Sequence, residues 1–220
     1  MPEDIRPDRR AFIRQQTRPL PVPSLPEITL FQADEVTPLW LMTEADMTRD
    51  RLSPPFWAFA WSGGQALGRY VLDNPHIVRG KRVLDIASGS GLVGIAAMQA
   101  GAASVLCNDI DPYAEAAVAL NAEQNGVTLA FTGRNLLDNG PPEADVILAG
   151  DICYEKGMTD AMLSYFRRAA GQNIEVYVGD PHRSYFPTSG LSKLADYDIL
   201  TNADIEDATV KPASVWKLET

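Results

Sequence analysis

The segment Val83-Leu84-Asp85-Ile86-Ala87-Ser88-Gly89-Ser90-Gly91 carries the strongest chemical signal in the chain. An apolar run containing an acid passes into a loop of small residues. Glycines in such a loop let the backbone approach a ligand closely. Gly89 to Gly94 also fits G-x-G-x-x-G, a pattern that by itself admits a nicotinamide enzyme. Two features point elsewhere. The run begins only after about 80 residues of other sequence, whereas dinucleotide domains often open on it. Asp85 also sits where a carboxylate would oppose a pyrophosphate but could hold a cationic amino-acid group. A second acid, Asp109, closes the run Cys107-Asn108-Asp109, where a carboxylate can accept hydrogen bonds from vicinal ribose hydroxyls. Asp111 is better suited to cap a helix. Asn135 carries an amide that could recognise an adenine amino group or could simply serve its turn.

A nucleoside with a cationic amino-acid arm and no phosphate suits these groups. S-adenosylmethionine is such a molecule, because its sulfonium and ammonium favour an acidic loop.

The elements that must position these residues follow a strand-turn-helix rhythm from residue 80 onward. Strands are expected in KRVLDIA, ASVLCND, VTLAFTG, ADVILAGD and NIEVYVGD. Between them lie helical patterns: GLVGIAAMQAG ends at Gly101, a plausible C′ glycine, and another starts at Asp111-Pro112, an N-cap followed by proline at N1. Gly157 to Gly171 is amphipathic, with Met162, Tyr165 and Phe166 as core contacts; Met158 and Met162 read as core rather than as a binding surface. SGLSKLADY reads as a short helix, and YDILT and SVWKLET as closing strands. Alternation of this kind implies βαβ units and a mostly parallel sheet.

Upstream, GQALGRYVLDN reads as a helix with Ala66, Leu67, Tyr70 and Val71 on one face, and a further helix is expected over Glu44 to Leu52. Residues 1–40 form an arm distinct from the domain at 41–220. Its arginines make it locally basic, AFIRQQT suggests a short helix capped by Asp8, and Pro19, Pro21, Pro23 and Pro26 enforce extended backbone. Such an arm either wraps the domain, with Trp57 and Phe59 packed beneath it, or faces a substrate. On the second reading, deleting residues 1–25 would spare S-adenosylhomocysteine binding and reduce protein methylation.

Composition narrows the classes. The 220 residues suit one domain with a terminal extension. A net charge of −10 argues against general binding to nucleic acid and fits a partner that presents lysine or arginine. Cys107 and Cys153 lie far apart inside apolar runs and read as buried, reduced thiols. His76 and His182 show no metal-ligand spacing. No apolar stretch is long enough to span a bilayer, and MPEDIRPDRR has no signal-like apolar region. The expected setting is the cytoplasm or an equivalent reducing compartment, with no membrane partner.

VLDIASGSG, the acids of NDIDPYA and AGDICYE resemble class I methyltransferases. RAFIRQQTRPLPVPSLPEI, PPFWAFAWSGGQALGRYVLDNP, VGDPHRSYFP and the closing VWKL narrow this resemblance to the electron-transfer flavoprotein β-subunit lysine methyltransferase family, related to ribosomal protein L11 methyltransferases. It covers nearly the whole chain. The resemblance implies a Rossmann-like α/β fold: a mostly parallel seven-stranded sheet, helices on both faces and an N-terminal extension. It implies S-adenosylmethionine as cofactor, with S-adenosylhomocysteine as product. The family's acid-x-x-Tyr motif falls on Asp151-Ile152-Cys153-Tyr154, and its tryptophan near the cofactor on Trp61. The implied cofactor set is Trp61, Asp85, Ala87, Gly89, Ser90, Gly91, Asp109, Ile110, Asn135 and Leu136. Ala87 stands where many class I enzymes have the first loop glycine, and His182 where a GDPGR-like motif has glycine. Asn-Pro-Pro-Tyr, a mark of amide- and adenine-methylating relatives, is absent after the fourth strand.

The implied activity is transfer of methyl groups to protein lysine, with the electron transfer flavoprotein β subunit as substrate. Asp151 would then orient the incoming ammonium, and Tyr154 would line its channel. An acid at a strand end can instead simply cap the next helix. Alternatives are a ribosomal protein lysine or small-molecule amine as acceptor, a nicotinamide-dependent oxidoreductase, and a non-catalytic S-adenosylmethionine-binding module, which an intact acid-x-x-Tyr motif disfavours.

Overall fold

A computed structural model describes residues 8–33, Leu39, 54–201 and 209–219. The helix expected over Glu44 to Leu52 lies outside them. The arm begins with α1 (Arg9–Gln16), and the Asp8 carboxylate accepts the Arg10 N–H at 3.0 Å. Where prolines forbid helix, β1 (Arg18–Val22) and β2 (Leu25–Gln32) form an antiparallel pair separate from the main sheet. The domain follows as α2 (Ser62–Asp73), β3 (Arg82–Ile86), α3 (Leu92–Gln99), β4 (Ser104–Asn108), α4 (Pro112–Gln124), β5 (Ala130–Thr132), β6 (Val146–Gly150), α5 (Lys156–Ala170), β7 (Glu175–Asp180), β8 (Leu191–Leu200) and β9 (Val210–Leu218).

The main sheet is seven-stranded, in the order β5-β4-β3-β6-β7-β9-β8. The first five of these strands pair in parallel; β9 runs antiparallel to both β7 and β8. The chain steps outward from β3 to β5 and then returns to the other side of β3 with β6. That reversal leaves a crevice beyond the strand ends, where open α/β sheets bind ligands. Apolar clusters fill both faces. Leu67, Val71, Val93 and Ala97 pack on one side, and Met162, Tyr165, Phe166 and Ala169 on the other.

Helix α2 lies almost against the strands. A Cβ on Gly179 would come 2.1 Å from the Gly63 carbonyl oxygen, and one on Gly150 would come 2.8 Å from the Gly64 Cα. Paired glycines thus bring the start of α2 to the carboxyl ends of β6 and β7.

SGLSKLADY is not helical. It belongs to the edge strand β8, and a register shift between Lys193 and Ala195 explains the misreading. The irregularity interrupts the period-2 pattern that resumes as Ala195, Tyr197 and Ile199 turn inward.

The arm wraps the domain. Val22, Leu25, Ile28 and Leu30 are fully buried against Leu92, Ile95 and Ala96 of α3. Ile13 and Ala33 join Trp57, Phe59 and the alanine face of α4. Asn121, also fully buried, links this layer to the glycine loop: its Oδ1 accepts the Phe31 N–H at 2.8 Å, and its Nδ2 donates to the Ser90 carbonyl at 2.8 Å.

Candidate active site

A cavity of about 520 Å³ opens at the crevice, within the usual range for small-molecule sites. Every residue of the expected catalytic and cofactor-binding set lines it except Gly91. Gly91 acts one step back. It is the N-cap of α3 at φ +78°, and a Cβ there would press on Val118 at 3.1 Å. Ala87 adopts φ +54°, which explains why glycine is usual at this place: a left-handed conformation costs a residue with a Cβ about 1–2 kcal/mol.

The donor side lies at the ends of β3 and β4. Asp85 is 1% exposed, and its Oδ2 accepts the Gly94 N–H at 2.8 Å. Burial pushes its pKa up to about 7. A protein carboxylate therefore occupies the amino end of α3, where a dinucleotide's pyrophosphate would seek its donors. Asp109 accepts the Gly89 N–H at 2.9 Å through Oδ2 and the Asp111 N–H at 3.0 Å through Oδ1. Each oxygen keeps a further lone pair for a ribose hydroxyl. Burial raises the Asp109 pKa, and these backbone amides pull it back.

The Asn135 amide serves its own turn. Oδ1 accepts the Leu137 N–H at 3.1 Å, and Nδ2 donates to Asp138 at 2.9 Å. Leu136 is buried beside it, while Ile110 leaves 72% of its surface exposed at the cavity wall. Asp111 caps α4 through the Tyr113 N–H. With Asp85, Asp109, Asp111 and Asp151 all lining the cavity and Arg183 as the only cation among the described lining residues, its chemistry suits a cationic nucleoside better than a phosphate-bearing one.

The acceptor side lies at the ends of β6 and β7. Asp151 does not cap the helix that follows it. That helix starts at Lys156 after Glu155. Asp151 Oδ2 instead accepts the N–H of Gly63 at 2.6 Å, capping α2 from 88 residues away. Its backbone sits at φ +59°. Its Oδ1 accepts Arg183 Nε at 2.7 Å and lies 2.6 Å from Nη2. Arg183 also places its guanidinium 5.9 Å from the centroid of the Trp61 ring. Asp180, fully buried, accepts the Arg183 N–H at 2.7 Å through Oδ1; its Oδ2 has no hydrogen-bond partner among the described residues. Burial pushes the Asp180 pKa up to about 7, and neighbouring Asp151 adds to this.

Tyr154 is 43% exposed at the cavity wall, its ring 5.3 Å from that of Phe56. Phe56 meets Trp61 edge-on at 6.0 Å, and Trp61 Nε1 donates to the Phe56 carbonyl at 2.9 Å. Trp57 stacks on Tyr113 beneath the arm. Met158 and Met162 pack against the core as expected, but they also line the cavity.

His182 adopts φ +61° and sets Nε2 3.2 Å from Ser214 Oγ. Its backbone accounts for the expected glycine, and its ring is turned to β9. Both cysteines are free and buried. Among the described residues no cluster could hold a metal ion, and no helix is long and apolar enough to cross a membrane.

Sequence reasoning missed Arg183, Asp180 and Phe56 as parts of the site. The run Gly179-Asp180-Pro181-His182-Arg183 was a visible turn, but its pairing with Asp151 spans 32 residues.

Residues 66–153 match the family described as ribosomal protein L11 methyltransferase (PrmA). The electron transfer flavoprotein beta subunit lysine methyltransferase of Xenopus laevis is 36% identical over 96% of this chain and 87% of its own length. The protein of the same name from Homo sapiens is 35% identical over 96% of this chain and 82% of its own. Among solved structures, the magnesium protoporphyrin IX methyltransferase of Synechocystis PCC 6803 with bound S-adenosylmethionine superposes with a TM-score of 0.51. The superposition covers 72% of this chain and 80% of that one at 19% identity, a likeness of fold.

Proposed function

The chain belongs to the family of electron transfer flavoprotein beta subunit lysine methyltransferases, and on that premise we propose that it methylates lysine on the electron transfer flavoprotein beta subunit. Its methyl donor is S-adenosylmethionine. The observation that carries the acceptor reading is the run of contacting aromatic rings, Trp61, Phe56 and Tyr154, on the wall of the same cavity that Asp151 lines.

Six residues lining the cavity divide the tasks in this reading. Asp109 would hold the ribose through its remaining lone pairs. Ile110 and Leu136 would offer apolar surface to the base, and Trp61 a π face suited to a cation. The bound donor supplies an electrophilic methyl group on positively charged sulfur. Asp151 would accept an N–H of the incoming lysine and aim its lone pair, while Tyr154 lines the approach. Lysine is mostly protonated at pH 7, so reaching the free amine costs about 4–5 kcal/mol. The aromatic walls would shield the amine from water once substrate covers them, and much of the rate would come from orientation. The proton lost by the lysine passes to solvent.

The acidic surface, at net charge −10, suits a substrate face that presents lysine. Two buried free thiols support a reducing, cytoplasm-like setting. A ribosomal protein lysine is the second reading. The family match that favours it ends at Cys153 and so spans chiefly the donor side.

Labelled methyl transfer into purified electron transfer flavoprotein beta subunit, with the modified residue mapped by mass spectrometry, tests the proposal. Label on a lysine of that subunit is expected. Absence of label there, with label on a purified ribosomal protein assayed alongside, would overturn it.

A further inference from the structure

A lone carboxylate is a poor host for the reaction proposed above. It attracts an ammonium, raises that lysine's pKa by about 1–3 units and so holds the acceptor in its unreactive form. Asp151 does not stand alone. Arg183 reaches its Oδ1 with two nitrogens, at 2.7 and 2.6 Å, and Gly63 reaches its Oδ2 at 2.6 Å. The carboxylate side chain is 7% exposed and the guanidinium 24%, so solvent and salt screen the pair weakly.

Among the described titratable groups around it, none replaces Arg183: His182 beside it sets its ring nitrogen on Ser214 instead. Cys153 and Tyr154 lie on the same loop as Asp151, Asp180 at the end of β7, and Asp85 and Asp109 at the ends of β3 and β4. None of these can become positive. Burial raises the pKa of Cys153, to about 12, and that of Tyr154. Among the described residues lining the cavity, Arg183 is the only cation.

We propose that Arg183 is a positioning residue for methyl transfer: by neutralising Asp151 it lets the lysine bind as the free amine, hydrogen-bonded to the carboxylate rather than salt-bridged as an ammonium. This rests on lysine being the acceptor. One proton leaves to solvent on binding. The Nζ–CH₃ bond then forms as the S–CH₃ bond breaks, its electron pair staying on sulfur, and the methylated ammonium is the product.

Proton release is the direct test. Binding of the electron transfer flavoprotein beta subunit to enzyme saturated with S-adenosylhomocysteine would be measured by calorimetry, in buffers of different ionisation enthalpy at pH 7.5. The wild type should release about one proton per complex, because free lysine titrates near 10.4. Arg183→Gln should release far less, and Arg183→Lys should restore most of it. In single turnovers, Arg183→Gln should shift the rising limb of the pH profile upward by about one unit or more. The rate would then be about tenfold lower near pH 7 and recover at high pH. Equal proton release by wild type and Arg183→Gln, or an even loss of rate at all pH values, overturns the proposal and makes Arg183 a structural tie. Should Arg183→Gln fail to fold, Arg183→Lys decides: loss of wild-type proton release in a folded lysine variant also counts against charge neutralisation. A wild type that neither binds nor methylates the subunit would refute the substrate reading instead. The same measurements with N-acetyl-lysine methylamide would still read Arg183.

Discussion

At the ends of β3 and β4, Asp85 and Asp109 give their oxygens to backbone amides, those of Gly94, Gly89 and Asp111. At the ends of β6 and β7, Asp151 and Asp180 share a single arginine, one through its guanidinium and the other through its backbone N–H. The donor side therefore holds acids by fixed dipoles along a short stretch of chain. The acceptor side adds to its backbone amides a side-chain cation, the Arg183 guanidinium, brought to Asp151 from the loop after β7. Amide-held carboxylates suit a ligand that always binds in one pose. A carboxylate held by a side-chain cation has a charge that can be tuned, as proton handling at the lysine requires.

The sharpest way to break this contrast is to neutralise one acid on each side. Asp151→Asn should cut single-turnover methylation by about 10²-fold or more, on the scale of misplacing a reacting group, and leave affinity for S-adenosylhomocysteine within a few-fold. Circular dichroism must confirm the fold, because the Asp151 carboxylate also caps α2. A wild-type rate in folded Asp151→Asn would remove the acceptor assignment.

Asp109→Ala should do the converse. Losing charge-assisted hydrogen bonds worth about 1.5–3 kcal/mol should weaken S-adenosylhomocysteine by about tenfold or more in calorimetry. Turnover at saturating donor should fall much less. Unchanged affinity would take Asp109 out of the cofactor site.

The same contrast explains what could be read in advance. The donor side is local in sequence, so glycine spacing, the Asp111-Pro112 cap and the strand-end acids revealed it. The acceptor side is not. Asp151 was visible as a motif, but its true partners Gly63 and Arg183 lie 88 and 32 residues away, and no local pattern encodes such pairings. The link that Asn121 makes from β2 to the glycine loop, through Phe31 and Ser90, is equally non-local and has no signature in the sequence. Strand β8 was lost to its register shift, which hides the alternation that marks a strand.

A weaker effect should appear in stability against pH. Asp85 and Asp180 both titrate at about 7 in the fold because of burial, against 3.8 ordinarily. Between roughly pH 4 and 7 the folded chain therefore keeps protons that the unfolded chain releases, so stability from these groups falls as pH rises through 7. Glu175, held down to about 2 as its lysine hydrogen bonds outweigh burial, acts the other way, but only below about pH 4.5. The ligand-free protein should thus melt at a higher temperature at pH 5.5 than at pH 8. Asp180→Asn should flatten that difference, and Asp85→Asn likewise. A melting temperature that climbs steadily from pH 5.5 to 8 would mean that both acids are ionised in the fold.

The smallest effect separates backbone need from side-chain need. Ala87 and His182 share left-handed backbone at φ +54° and +61°, both at places where the sequence motifs lead one to expect glycine. Ala87→Gly relieves about 1–2 kcal/mol of strain, while the freer unfolded chain takes back about 0.5–1 kcal/mol. A net gain of about 0.5 kcal/mol should raise the melting temperature by about 1–2 °C in a chain of this size, with cofactor affinity unchanged. His182→Gly relieves comparable strain but also removes the contact of Nε2 with Ser214 Oγ, an interaction of about 0.5–1.5 kcal/mol. It should bring no gain. If both variants stabilise the protein equally, the imidazole contributes nothing at β9 and only the backbone matters there. If Ala87→Gly weakens S-adenosylhomocysteine binding, the Ala87 methyl is part of the cavity wall that the cofactor needs, and the donor side depends on side chains more than its amide-held acids suggest.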